Sequence, residues 1–288
     1  MVPRDLRCPI LLEDAVDLLA KDEDDKHQIN YDTTALWSGE KMFLPSPEEY
    51  ESGLRLITIP PHRLKMILSF TKSKQISLTG LLHGLVVTYL SRAVTPGYGF
   101  RAVTPYSMRH VSKVTDNEIC NHASALVNDF SKQLVTAIHN SQQDSEEETQ
   151  LIIEVAQNFH LNINAELKRT PKNNVWAGMF GDIDWYEQAK SQLGKKRALT
   201  YELSNVGSQK MFETPELQVN SLLKLEKVLL SQCGSVTGPV LSVNCLSTHG
   251  GPLTITLAWQ KGACEEQLIN NMTAYLRRRL MEEFGNDA

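Results

Sequence analysis

The sequence predicts an α/β fold, a mixed and largely antiparallel sheet flanked by helices. Three observations carry that expectation. The run LRLITIP at residues 54–60 alternates like a strand and feeds straight into a helical period opened by Pro61. The run SLTGLLHGLVVTYLSRAV at residues 77–94 is helical and strongly apolar. Two alternating runs, GPVLSVNCLSTHGG and PLTITLAWQ, meet at a turn over residues 248–251 and read as an antiparallel hairpin.

Taken in order, the first fifty residues are loop-like, with the acidic run KDEDD at 21–25 and the Pro-rich LPSPEEY at 44–50. Such charge runs are solvated faces, so residues 1–53 are set apart as a linker-like segment. The helix after Pro61 carries Leu64, Ile67, Leu68 and Phe70. Ser77 is a good N-cap for the next helix, whose Leu78, Leu81, Leu82, Leu85, Val86 and Tyr89 share a face. Gly80 and Gly84 cost about 1 kcal/mol each in helix propensity, so another element is expected to approach there closely. His83 sits at the margin of that face and reads either as a packed, hydrogen-bonded histidine or as a site-facing one.

FRAVTPYSMR at 100–109 reads as a further strand, and a weaker extended piece surrounds residues 122–127. Ser145 and Glu148 have capping-box spacing ahead of a helical period through Ile152, Val155, Ala156, Phe159 and Ile163 that Thr170 and Pro171 stop. DIDWYEQAKSQLG at 182–194 reads as a helix closed by Gly194, with Asp182 and Asp184 as first-turn residues rather than a metal pair. ALTYELSNVG at 198–207 is strand-like and ends on Ser204, Asn205 and Gly207. LLKLEKVLLSQ at 222–232 fits helix and strand equally, and His249 is first of all a turn residue. The last stretch, residues 265–284, is an amphipathic helix with Arg277, Arg278 and Arg279 near its C-terminus.

At 288 residues and 41% hydrophobic, the chain can bury a sizeable core. Its net charge of −5 and the lack of a long basic run speak against a nucleic-acid partner. Cys8, Cys120, Cys233, Cys245 and Cys264 form no CxxC or CxxH pair, so no metal site is expected and the thiols read as reduced. No stretch has the roughly 18 uninterrupted apolar residues of a transmembrane helix, and the N-terminus lacks the pattern of a secretion signal. A cytoplasmic protein is the resulting expectation.

Four stretches in order resemble the fungal alcohol acetyltransferases of the chloramphenicol-acetyltransferase-like superfamily. They are residues 54–90, FRAVTPYSMR at 100–109, YELSNVG at 201–207 and VLSVNCLSTHGGPLTITLAWQKG at 240–262. CPILLED at 8–14 also resembles the Pro-Leu-Glu stretch that follows the family's catalytic motif. The resemblance implies two related lobes around a tunnel, acetyl-CoA as co-substrate with no bound cofactor, and a small alcohol or hydroxylated metabolite as acceptor. It also implies a histidine in an HxxxD motif as general base. None of the eight histidines here, His27, His62, His83, His110, His122, His139, His160 and His249, has Asp at the fourth following position.

The resemblance starts just after the place of that motif. It therefore implies an incomplete two-lobe unit, with residues 54–288 as the C-terminal lobe, inactive by itself. Ser204, Asn205, Gly207, His83 and Arg109 become its substrate-facing candidates, with Ser204 or Asn205 as oxyanion or substrate donor. Arg109 reads equally as a structural ion-pair partner. A complementing lobe or a second copy of the chain is the partner that an incomplete unit implies. The competing readings are a non-catalytic interaction protein and a condensation-like module of the same superfamily.

Overall fold

The computed structural model of the protein describes Leu12 and residues 35–115, 118–169, 184–209 and 225–284. Its elements in chain order are β1 (Ser52–Ile59), α1 (Pro61–Ser73), α2 (Leu78–Ala93), β2 (Phe100–Ser107), α3 (Arg109–Ser112), β3 (Ala123–Phe130), α4 (Lys132–Asn140), α5 (Glu146–Arg169), α6 (Trp185–Gln192), β4 (Tyr201–Gln209), β5 (Leu241–Thr248), β6 (Leu253–Gln260) and α7 (Glu266–Glu282). The CPILLED stretch apart from Leu12, the acidic run, Asp182, Thr170, Pro171 and residues 222–224 lie outside the described residues. Of residues 222–232, the part from 225 on is neither helix nor strand.

The strands form one six-stranded sheet in the order β1-β6-β5-β4-β2-β3. The pairs β1–β6, β5–β6 and β2–β3 are antiparallel, whereas β2–β4 and β4–β5 are parallel. The sheet is thus mixed and largely antiparallel, as expected from the sequence, and the hairpin turn at Thr248–Gly251 is present with Gly251 N–H donating to Thr248 O at 2.9 Å.

Alternation gives the sheet two chemically different faces. Tyr201, Leu203, Leu241, Val243, Cys245, Leu253, Ile255, Leu257 and Trp259 join the main apolar core together with residues of α1, α2, α4, α5 and α7. The opposite face carries Glu202 and Ser204 of β4, Ser242 and Asn244 of β5, and Thr254, Thr256 and Gln260 of β6. Both faces of β5 and β6 are nonetheless buried. The chain from 225 onward covers the polar side: Thr254 Oγ1 donates to Val228 O at 2.8 Å and Thr256 Oγ1 to Leu230 O at 2.6 Å. The side chain of Arg197 fixes the end of this strap, donating from Nη1 to the carbonyls of Ser235, Val236 and Gly238 at 2.9–3.1 Å. Its Nη2 reaches Gln260 Oε1 at 3.0 Å.

Helix α2 is the hub of the core. Ser77 caps it by accepting the Gly80 N–H at 3.0 Å, and Leu81, Leu82, Leu85, Val86, Val87 and Leu90 are all buried. A methyl group on Gly80 would lie 2.8 Å from Ala156 O, and one on Gly84 would lie 2.7 Å from Ile152 O. The close approach expected at these two glycines is therefore made by α5, backbone against backbone.

Glu148 of α5 was expected to complete a capping box, and only half of it forms. Ser145 Oγ accepts the Glu148 N–H at 3.1 Å, but the Ser145 N–H bonds instead to Gln142 O. The Glu148 carboxylate turns inward, where it accepts Arg92 Nε of α2 at 2.8 Å and Arg279 Nη1 of α7 at 2.5 Å. It also accepts the Asp144 N–H at 3.0 Å. The Glu148 and Arg279 side chains are 0% exposed, and the carboxylate is drawn to where two guanidinium groups meet, Arg279 being paired also with Asp144 and Glu283. Replacing Glu148 by Gln should cost about 1–3 kcal/mol of stability, read as a lower midpoint in denaturant unfolding, because Arg92 loses its carboxylate and Arg279 keeps only Asp144 and Glu283.

Candidate functional site

Ser204 and Asn205 are neighbours in sequence but belong to opposite faces of the sheet. Asn205 shares the helix side with Leu203 and Tyr201, and there its Nδ2 donates to Thr79 Oγ1 in the first turn of α2 at 3.0 Å. Its Oδ1 accepts the Gly207 N–H at 3.0 Å. Gly207 has φ +80, a left-handed value that favours glycine, and the ladder to β5 shifts register between Asn205 and Ser208. Gly207 is thus the hinge of a β-bulge, and the strand continues to Gln209 instead of ending at the Ser-Asn pair. The bulge was invisible in the sequence because a strand-end glycine and a bulge glycine look alike.

Ser204 points to the polar side, half-buried, opposite Asn244 in the parallel ladder. Its hydroxyl has no hydrogen-bond partner among the described residues. Asn244 is buried, its Nδ2 contacts Thr256 Oγ1 at 3.4 Å, and its Oδ1 is unpartnered. Glu202 lies on the same side, with its carboxyl pushed up by burial while a 2.8 Å hydrogen bond from Gln232 Nε2 works the other way. Sequence reading missed Asn244, although it is the polar member of an otherwise apolar alternation in VLSVNCL.

His83 is wholly inside the core. Its Nδ1 pairs with the Tyr201 hydroxyl at 2.8 Å and its Nε2 with Thr104 Oγ1 at 2.9 Å. The ring lies 4.6 Å from that of Phe159 and 6.0 Å from that of Phe130, centroid to centroid. Burial lowers its pKa to about 3. The imidazole is therefore neutral and hydrogen-bonded at both nitrogens. Arg109 opens the short α3 and donates to the carbonyls of Thr115, Glu118 and Cys120, the latter two at 2.9 and 3.4 Å. It ties down the loop after β2, and no carboxylate pairs with it among the described residues. The structure thus separates the five candidates: Ser204 faces the polar side, Asn205 and Gly207 shape the strand, His83 is in the core, and Arg109 is at the β2 end. Among the described residues no group of three or more His, Cys, Asp or Glu is placed to hold a metal ion.

This arrangement of sheet and helices is the fold of the chloramphenicol-acetyltransferase-like class. Trichothecene 15-O-acetyltransferase from Fusarium sporotrichioides superposes with a TM-score of 0.65 at 13% identity, over 85% of this chain and 49% of that one. A second F. sporotrichioides protein, TRI101 complexed with coenzyme A and T-2, superposes with a TM-score of 0.51 at 13% identity, over 80% and 52% of the two chains. By sequence the chain is similar to a probable alcohol acetyltransferase of Fusarium pseudograminearum, 26% identical over 264 residues. That match covers 88% of this chain and 50% of the relative, so the chain spans about half the length of the proteins it matches. No family model matches.

A histidine that binds its proton only near pH 3 when folded, against about 6.5 when unfolded, lets the unfolded state bind more protons between those values. Its contribution is therefore favourable above pH 6.5 and is lost progressively as pH falls toward 3. Unfolding free energy measured from pH 6.5 down to 4 should carry a His83 contribution approaching about 1.4 kcal/mol per pH unit, which His83→Gln removes.

Proposed function

We propose that this chain forms the second lobe of an acetyl-CoA-dependent alcohol O-acetyltransferase and supplies one wall of its reaction site, without the general base. The similarity to an alcohol acetyltransferase across 88% of the chain carries the reading. In such a transfer the alcohol oxygen attacks the thioester carbonyl carbon, a base takes the hydroxyl proton, and the oxyanion collapses with loss of the coenzyme A thiol. The Ser204 hydroxyl, unpartnered among the described residues and on the side of the sheet away from the described helices, is the donor we assign to the carbonyl oxygen or the acceptor. Asn205 and Gly207 support it by fixing the bulge. The base belongs to an HxxxD-bearing lobe acting with this one, since no histidine of these 288 residues has that motif.

Exposed apolar side chains support a partner lobe on the same side. Alternation places Leu54 of β1 and Val206 of β4 on the face turned away from the helices, and Leu225 and Leu229 of the strap are also exposed. These side chains equally favour the second reading, a lobe that binds a partner without catalysis. The free thiols of Cys120, Cys233, Cys245 and Cys264 accord with a cytoplasmic setting.

The test is acetyl transfer from radiolabelled acetyl-CoA to a panel of small alcohols. The 288-residue polypeptide should show no turnover, and fusion to the half of the F. pseudograminearum relative that this chain does not match should restore it. In that fusion Ser204→Ala should lower kcat roughly 10²-fold, the cost of one oxyanion donor. Ordinary turnover by the 288 residues would disprove the missing base. A fusion that binds but never transfers would select the second reading.

A further inference from the structure

A cleft of about 780 Å³ opens at the other end of the sheet from Gly207. Trp37, Tyr89, Val94, Trp259 and Leu268 line it, with Glu40, Glu265, Glu266 and Lys261 exposed around it. Trp37 is anchored at the start of β4, where its carbonyl accepts the Thr200 hydroxyl at 2.7 Å. Six residues of strand separate Tyr201 from Gly207, a span of about 20 Å. The cleft is therefore distinct from the Ser204 side.

Its wall is constructed by a close backbone contact. Gly39 has φ +59, and a methyl group on it would lie 2.3 Å from Ala263 O. With glycine there, the Glu40 N–H reaches Ala263 O at 2.9 Å, which sets the segment around Glu40 beside the turn that leads into α7. This contact brings Glu40 and Glu265 to one opening.

The charges around that opening do not cancel. Lys261 is engaged by Glu51 at 2.5 Å, and Glu266 by Arg55 at 2.5 Å. Glu40 and Glu265 have no ion-pair partner among the described residues. What remains is a cleft with aromatic and aliphatic side chains beside Thr95 and Asn271, and at its mouth two carboxylates that pair with no cation among the described residues, Glu265 being also the N-cap of α7, in a volume suited to a small molecule. Aromatic faces attract alkylammonium groups, and desolvation strengthens that attraction. Trp259 already does this within the fold, since the Arg55 guanidinium lies 5.2 Å from its ring centroid. Anions are disfavoured by Glu40 and Glu265, and a neutral apolar molecule would leave both carboxylates unused.

We propose that this cleft is a binding site for a small organic cation of the alkylammonium class, with Trp37 and Tyr89 as its aromatic walls and Glu40 and Glu265 as its counter-charges. The probe is choline, compared with its neutral isostere 3,3-dimethylbutan-1-ol, followed by tryptophan fluorescence and calorimetry on the 288-residue chain. Choline should bind at least tenfold more tightly than the neutral isostere, and more weakly as salt rises. The double substitution Glu40→Gln and Glu265→Gln, both at exposed positions, should weaken choline about tenfold while leaving the isostere unchanged. Trp37→Phe should weaken it less, by keeping an aromatic face. Equal affinity for the two probes, no binding of choline at millimolar concentration, or an unchanged affinity in the double variant would each overturn the proposal.

Discussion

The packing of the helices against this sheet depends on one buried carboxylate. Glu148 lies where α2, α5 and α7 converge, and it accepts from a guanidinium of each neighbouring helix. A buried charge is tolerated only when its partners are close and geometrically matched, so this site fixes how three helices meet as well as neutralising them. The glycine contact between α2 and α5 imposes the same registration by sterics. A side chain at Gly84 would collide with the Ile152 carbonyl, and Ile152 lies one turn from Glu148. The helical layer is thus held from two sides, by charge at one end and by backbone proximity along the seam.

That rigid layer explains why the sheet can present chemistry on its other side. The core face of β4 is occupied by Tyr201, Leu203 and Asn205, with the Tyr201 hydroxyl consumed by His83 and the Asn205 amide by Thr79. The alternate residues face the other side, and of these Ser204 has a hydroxyl with no partner among the described residues. The strap from 225 to 239 then limits access from the β5 and β6 side. Its hold on the sheet comes from threonine hydroxyls and from Arg197 reaching the carbonyls of Ser235, Val236 and Gly238, contacts outside the strand ladders.

Much of the fold was legible because the relevant signals are local. Ser77 as an N-cap, Pro61 at a helix start, the period-two runs of β5 and β6, and the paired glycines of α2 each specify their surroundings within a few residues. The site was less legible because its geometry is set by alternation and by distant partners. SNVG reads as a substrate-facing tip in sequence, yet the pleat divides Ser204 from Asn205, and Asn205 turns out to brace a bulge. His83 could be read either way until Tyr201, more than a hundred residues on, supplied its partner. The strap escaped both templates because LLKLEKVLLSQ is apolar enough for helix or strand, while its backbone bonds go to side chains of β6.

The order of strands also bears on how the molecule is made. β1 pairs along its whole length with β6, about two hundred residues later, and the register runs from Ser52 opposite Gln260 to Ile59 opposite Leu253. During synthesis at about 5–20 residues per second, β1 emerges roughly 10–40 s before the strand that completes it. Throughout that interval an apolar strand and the underside of α1 wait on the ribosome with no sheet to join, so nascent chains halted before residue 253 should be the ones that chaperones retain.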